Sequence, residues 1–202
     1  MTDMLYLRLF SKEIRFRIPF AIVSCAVFLA VFYADKRYIG TAEYICPVFA
    51  LISAAILFFD DEKEILTVGR VNMGDLFLVR FLSAFLSVTL IPSLWIIAFT
   101  AERKSFKAFL AFFVLSFFVS AIGGFWRAVS GNTLASLLFS FGTYAAIMLF
   151  SAFGGFSPFA SMMTADEKTF LINRLVTAGA GIVLLILSYV LFRQRSKLSS
   201  AV

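Results

Sequence analysis

The sequence predicts an all-α, polytopic membrane protein with six transmembrane helices, and three observations predict it. Hydrophobic residues make up 61% of the chain and charged residues 15%, with a mean hydropathy of +0.96, whereas soluble domains run nearer half apolar and a quarter charged. The apolar residues gather into six runs of about the length needed to cross a bilayer, roughly 20 residues. The basic residues behind the net charge of +6 stand at the ends of those runs, where topology signals and interface anchors belong. That scatter is not the basic patch a nucleic-acid partner requires, so no nucleic-acid binding is expected. The 202 residues leave room for one membrane domain, 1–202, without a separate soluble one.

Residues 1–17 mix Leu5, Leu9, Phe10, Ile14 and Phe16 with Arg8, Lys12, Arg15 and Arg17, the make-up of a basic amphipathic helix lying in the interface. Pro19 suits the first turn of a new helix, so Ile18–Ala34 reads as the first span. Phe32, at the third-last place before Asp35, fits a small-x-small cleavage site poorly, and the span reads as retained. Beyond the polar loop Asp35–Glu43, the second span covers Tyr44–Phe59, with Pro47 near its start. The third, Leu76–Phe99, contains Pro92, which removes a backbone donor and predicts a kink. A charged turn, Glu102–Lys107, precedes the fourth span, Phe106–Phe125, which Gly123–Gly124 closes. The link Trp126–Asn132 carries Arg127, and the fifth span runs over Leu134–Phe153. Residues 154–172 begin with a stretch too polar and broken to span, and read as a re-entrant or interface-lying outer segment. The sixth span, Leu175–Phe192, ends in Arg193, Arg195 and Lys197.

Six spans put both termini on one side, together with the links 60–80 and 126–132. That side holds eleven of the eighteen Lys and Arg residues, which predicts cytoplasmic termini and a multi-pass chain in the cytoplasmic membrane. The cluster Arg103–Lys107 falls on the opposite side. His is absent from the sequence, which excludes His triads, His metal sites and His proton relays. Cys25 and Cys46 are expected at depths about 10 Å apart along the helix axes, too far for a disulfide.

Residues 60–80, DDEKEILTVGRVNMGDLFLVR, place four of the twelve acidic residues (Asp60, Asp61, Glu62 and Glu64) within five positions. Ile65, Leu66 and Val68 have the spacing of a short half-apolar helix, Gly69 offers a stop, and Asn72 or Gly74–Asp75 a cap for the next helix. The region 60–75 therefore predicts a short helix across the cytoplasmic face, with acid at its N-terminal end and Arg70 just past its C-terminal end. These charges complement the helix dipole and form a knob that a soluble partner would grip.

Three function classes compete for this arrangement. A self-contained channel or secondary transporter normally keeps an ionisable residue at membrane depth. None falls near the middle of a predicted span, and Arg80, the nearest, is expected to snorkel to the interface. An intramembrane enzyme would use the Asp60–Glu64 carboxylates to hold Mg²⁺ and a pyrophosphate, yet the other acidic pair, Asp166–Glu167, lies on the opposite side. A membrane subunit driven by a separate soluble ATPase would take up rigid-body motion through the transverse helix, whose charges would set the register of docking. A charged loop that touches nothing fits the spacing equally.

The order of elements resembles the type-2 permeases of ATP-binding-cassette (ABC) exporters. Glu62-Lys63-Glu64, Ile65-Leu66-Thr67 and Gly69–Gly74 before Leu76–Arg80 resemble their coupling-helix region. Residues 125–158, FWRAVSGNTLASLLFSFGTYAAIMLFSAFGGFSP, resemble their fifth-span region, with Gly154, Gly155 and Pro158 in the outer re-entrant segment. The chain departs from the family in having Ile65 where Gly is common and in lacking Pro around Val71–Met73. The resemblance implies a working unit of two ABC ATPase subunits and two permeases, the second identical or related. Docking would fall on Asp60, Asp61, Glu62, Lys63, Glu64 and Arg70. No cofactor is expected in this chain: ATP and Mg²⁺ would sit on the partner ATPase, since Gly69–Gly74 lacks the Lys and Ser or Thr of a phosphate loop. Small residues of the fifth span, Ser136, Ser140, Gly142 and Ala145, would suit a subunit interface, or equally packing within one subunit. The implied cargo is hydrophobic or amphipathic: a peptide, drug or lipid.

Overall fold

A computed structural model describes residues 2–34, 39–56, 73–99, 104–152, 157–159 and 166–199. Their regular structure is entirely helical, in six elements: α1 (Thr2–Ala34), α2 (Ile39–Ala55), α3 (Met73–Phe99), α4 (Lys104–Ser130), α5 (Thr133–Ala152) and α6 (Glu167–Ser199).

Two boundaries differ from those expected. The N-terminal interfacial helix and the first span are one continuous helix of 33 residues with Pro19 inside it. Proline costs one hydrogen bond and a clash in the preceding turn, and here that turn is reinforced by the Glu13–Arg17 ion pair (3.3 Å) at i, i+4 spacing. At ~1.5 Å per residue α1 is about 50 Å long, well beyond the ~30 Å hydrocarbon thickness. The second difference is in α4, which runs through Gly123–Gly124 to Ser130. Those glycines are points of close approach rather than a terminus. A Cβ on Gly123 would meet the Leu51 carbonyl oxygen at 2.7 Å, and one on Gly124 would touch the Phe77 and Phe81 rings at 3.4 Å.

The actual break is Gly131–Asn132. Gly131 takes a φ of 66°, the left-handed conformation that ends helices, and its N–H donates to the Arg127 carbonyl at 3.1 Å. Asn132 then caps α5, its Oδ1 accepting from the N–H groups of Leu134 (2.8 Å) and Ala135 (3.3 Å). Satisfying these donors with one short side chain explains how two long apolar helices join through two residues.

α4 is the central helix and packs against α2, α3, α5 and α6, while α1 lies across α2 and α3. The core between α3, α4 and α6 is an aromatic ladder. Phe77 stacks on Phe192 at 4.8 Å, Phe81 meets Phe117 edge-on at 6.1 Å, and Phe85 meets Phe113 at 5.0 Å. Such rings supply large apolar area plus about 0.5–1.5 kcal/mol per well-placed pair. Rising residue numbers in α3 meet falling numbers in α4, so these helices are antiparallel. Glu13 meets Arg80 and Ser24 meets Val88, so α1 and α3 run parallel. A smaller core joins Leu51, Leu115, Val119, Tyr144 and Phe159.

Among the described residues, three helical segments are long and apolar enough to cross a membrane: Phe109–Ser130, Thr133–Ser151 and Glu167–Gln194. The last two leave much of their apolar surface uncovered, with Leu134, Leu138 and Leu149 on α5 and Leu175, Val183 and Ile186 on α6 all more than half exposed. Water would penalise such faces at about 25 cal/mol per Å²; a bilayer would not. This is the surface of an integral multi-pass membrane protein. Among the described residues, three of the six expected spans meet this criterion.

Candidate functional site

The expected docking residues Asp60, Asp61, Glu62, Lys63, Glu64 and Arg70 lie outside the described residues, as do Gly154 and Gly155. What the structure does place is the pair of helix ends from which the 57–72 stretch springs, and these are joined by a buried ionic cluster. Arg17 of α1 is 1% exposed. Its Nη1 donates to the carbonyl oxygen (2.9 Å) and the hydroxyl (3.0 Å) of Ser53 in α2, and its Nη2 donates to Glu13 Oε2 at 3.3 Å. The other carboxylate oxygen of Glu13 lies 3.0 Å from Nε of Arg80 in α3, a second ion pair. One carboxylate thus holds two guanidiniums and ties α1 to α3, while Arg17 ties α1 to α2.

The position of this cluster follows from the sequence register. Ser53 lies in the last turn of α2, and Arg80 about two turns into α3. A second contact holds the start of α3 from the other side: Tyr189 of α6 donates its hydroxyl to Asp75 Oδ1 at 3.3 Å. The Tyr189 ring also lies only 2.7 Å from where a Cβ on Gly74 would stand. The first two turns of α3 are therefore gripped by α1 and α6.

Several arginines do not occupy the solvent-facing places expected of topology signals. Arg80 was expected to snorkel, but it is 4% exposed, because Glu13 offers an internal anion. Arg17 is buried for the same reason. Arg127 folds back so that its Nη1 donates to the Gly131 carbonyl at 3.1 Å, serving the C-terminal end of α4 where a cation is favourable. Arg174 donates to the Ala111 carbonyl of α4 at 3.2 Å and lies over the Phe170 ring.

At the opposite end of the bundle, Asp166 caps α6. Its carboxylate accepts from the Lys168 N–H (2.6 Å), the Thr169 N–H (3.2 Å) and the Thr169 hydroxyl (2.8 Å). Led by the Thr169 hydroxyl, these donors hold its carboxyl below the usual carboxylate range. The neighbouring Glu167 pairs with Lys107 of α4 at 3.1 Å, an exposed bridge of little energetic weight.

The four small residues of α5 divide. Ser136 and Ser140 are fully buried, and Ser136 donates to the Ala55 carbonyl of α2 at 3.2 Å, so these two pack within the subunit. Gly142 and Ala145 are exposed, and no atom of a neighbouring element lies within 4 Å of a Cβ built on Gly142. Pro158 is buried, and Phe159 beside it meets Tyr144 edge-on at 5.5 Å, about two turns back from the end of α5. Pro158 also helps line an open apolar groove of about 470 Å³, with Phe118, Thr143, Ala146, Ile147 and Phe150.

The ionic cluster is the feature that reading the sequence missed. Its one local signal is Glu13–Arg17 at i, i+4 spacing, which marks a helical pair but not the face that the pair turns inward. In comparisons with protein-family models, curated proteins and solved structures, none matches the chain.

Proposed function

We propose that the chain is the membrane-spanning permease subunit of an ATP-driven ABC exporter, moving a hydrophobic or amphipathic cargo by alternating access. In this reading all six helices cross the cytoplasmic membrane and both termini are cytoplasmic. Asp60, Asp61, Glu62, Lys63, Glu64 and Arg70 dock a separate ATPase, which carries the ATP and Mg²⁺. The segment holding Gly154, Gly155 and Pro158 is re-entrant at the outer face. Two ATPases and a second permease, identical or related, complete the unit.

The observation that supports it best is the way the roots of the 57–72 stretch are held. Packed helices shift as rigid units rather than deforming continuously. A push on that stretch would act on α2 and α3 at once, on α1 through Glu13 and Arg17, and on α6 through Asp75 and Tyr189. The resemblance of residues 62–80 and 125–158 to type-2 permeases supplies the identity of the pusher. The test is to purify the tagged chain from the membrane in which it is made. A soluble ATPase should accompany it; a chain that purifies alone and transports in vesicles without ATP would overturn the proposal.

A self-contained channel or secondary transporter is the second reading, favoured by one observation. Glu13, Arg17 and Arg80 are ionisable groups buried between helices, the residue types that mark ion and proton pathways in membranes.

A further inference from the structure

The sequence of α1 mixes Lys12, Glu13, Arg15 and Arg17, but the fold sorts them onto two faces. Glu13 and Arg17 turn inward together with Ala21 and Ser24, all buried. Ser11, Lys12, Arg15, Phe16, Pro19, Ile22 and Val23 form the exposed stripe. The acid of this segment is thereby removed from the surface, and the outward charge between residues 10 and 23 is cationic. The stripe then turns apolar: Phe16 is 57% exposed and Ile22 62%. From Arg15 to Ile22 is about 10 Å along the helix, enough to reach from a headgroup past a polar layer of about 5–8 Å into the acyl region.

We propose that this stripe is a binding surface for anionic phospholipid, with Lys12 and Arg15 on the headgroup phosphate and Phe16, Ile22 and Val23 along the acyl chains. Charge complementarity selects the lipid, and the adjoining apolar turn keeps it at the bilayer surface rather than in solution. The inference rests on α1 crossing the membrane, not on an ATPase partner, so the two fail separately. Lys12, Arg15, Phe16, Ile22 and Val23 are exposed, and none of them belongs to the Glu13–Arg17–Arg80 cluster.

The test uses the full chain in phosphatidylcholine vesicles with spin-labelled phosphatidylglycerol or phosphatidylcholine as probes. The wild-type chain should retain phosphatidylglycerol preferentially. The double variant Lys12→Gln, Arg15→Gln should lose that preference by about five-fold per cation at low salt, and by less at high salt. An unchanged preference, or an equal loss in Lys168→Gln at the far end of the bundle, would overturn the proposal. A photo-cross-linker at the neighbouring position, Phe16→p-benzoylphenylalanine, should give a lipid adduct. A cross-link between two chains instead would make the stripe a subunit contact and overturn the proposal too.

Discussion

Replacing Glu13 by Ala should be among the most damaging single changes in the bundle, because its carboxylate faces both Arg17 and Arg80. Removing one partner of a buried ion pair costs about 3–5 kcal/mol, mostly because the remaining charge stays buried. Arg17 keeps its two contacts with Ser53, which puts Glu13→Ala near the lower end, about 3 kcal/mol. Glu13→Gln keeps the length and one acceptor oxygen, and should cost less. The informative partner is Arg17→Met, which removes the buried cation itself. Glu13→Ala leaves two buried cations without their shared anion, Arg17 and Arg80, and Arg17→Met removes one of them, so the double variant should be more stable than Glu13→Ala alone. Equilibrium unfolding of wild type, Glu13→Ala, Arg17→Met and the double variant in mixed micelles gives the coupling directly, expected at about 1–3 kcal/mol. Glu13→Ala within ~0.5 kcal/mol of wild type, the usual range for surface changes, would refute the cluster as a structural joint. So would a double variant no better than the single.

Two further outcomes follow from glycine packing and the α6 cap. Gly123→Ala brings a methyl group to 2.7 Å from the Leu51 carbonyl oxygen, a backbone atom that cannot rotate aside, and should cost about 1–3 kcal/mol. Gly142→Ala meets no such neighbour and should be neutral or stabilising by up to ~1 kcal/mol through helix propensity; the same unfolding assay compares them. The cap at Asp166 should be pH-dependent. Its carboxyl is held below the usual range in the folded chain, so the charged cap is fully present above the ordinary carboxylate value. Its contribution declines below that value and is lost as pH falls through the lowered one. Hydrogen-exchange protection of the Lys168 and Thr169 amides should fall over that acid window in wild type and stay flat in Asp166→Asn.

The parts of the fold that depend on composition were legible in the sequence, and those that depend on which way a helix faces were not. Apolar runs announce Thr133–Ala152 and most of Lys104–Ser130 whatever their neighbours. Gly123–Gly124 was misread as a terminus because glycine serves both to end a helix and to admit a neighbour, and only the position of Leu51 decides between these uses. The true terminator was visible as Gly131 followed by a capping Asn132. Pro19 reads as a beginning because proline suits a first turn, whereas α1 continues through it as one helix. Arg17 and Arg80 look like interface anchors in one dimension. Their partner, Glu13, lies 67 positions before Arg80, and no local pattern links the two. The stretch expected to dock is singled out by its acid density, by the half-apolar spacing of Ile65, Leu66 and Val68 and by its resemblance to a coupling-helix region, and the structure places the residues on either side of it, Ser53 and Arg80.

The central claim is that residues 60–70 receive a push from a separate ATPase. Its most direct test is ATP hydrolysis by the complex purified on the tagged chain, with and without Glu62→Lys and Glu64→Lys. The account predicts a co-purifying soluble ATPase whose presence and activity fall with each reversal, in a graded way suited to charge-guided docking. An ATPase retained at full activity by the double reversal would contradict the docking site. A wild-type chain that brings down no ATPase and transports without ATP would contradict the exporter itself.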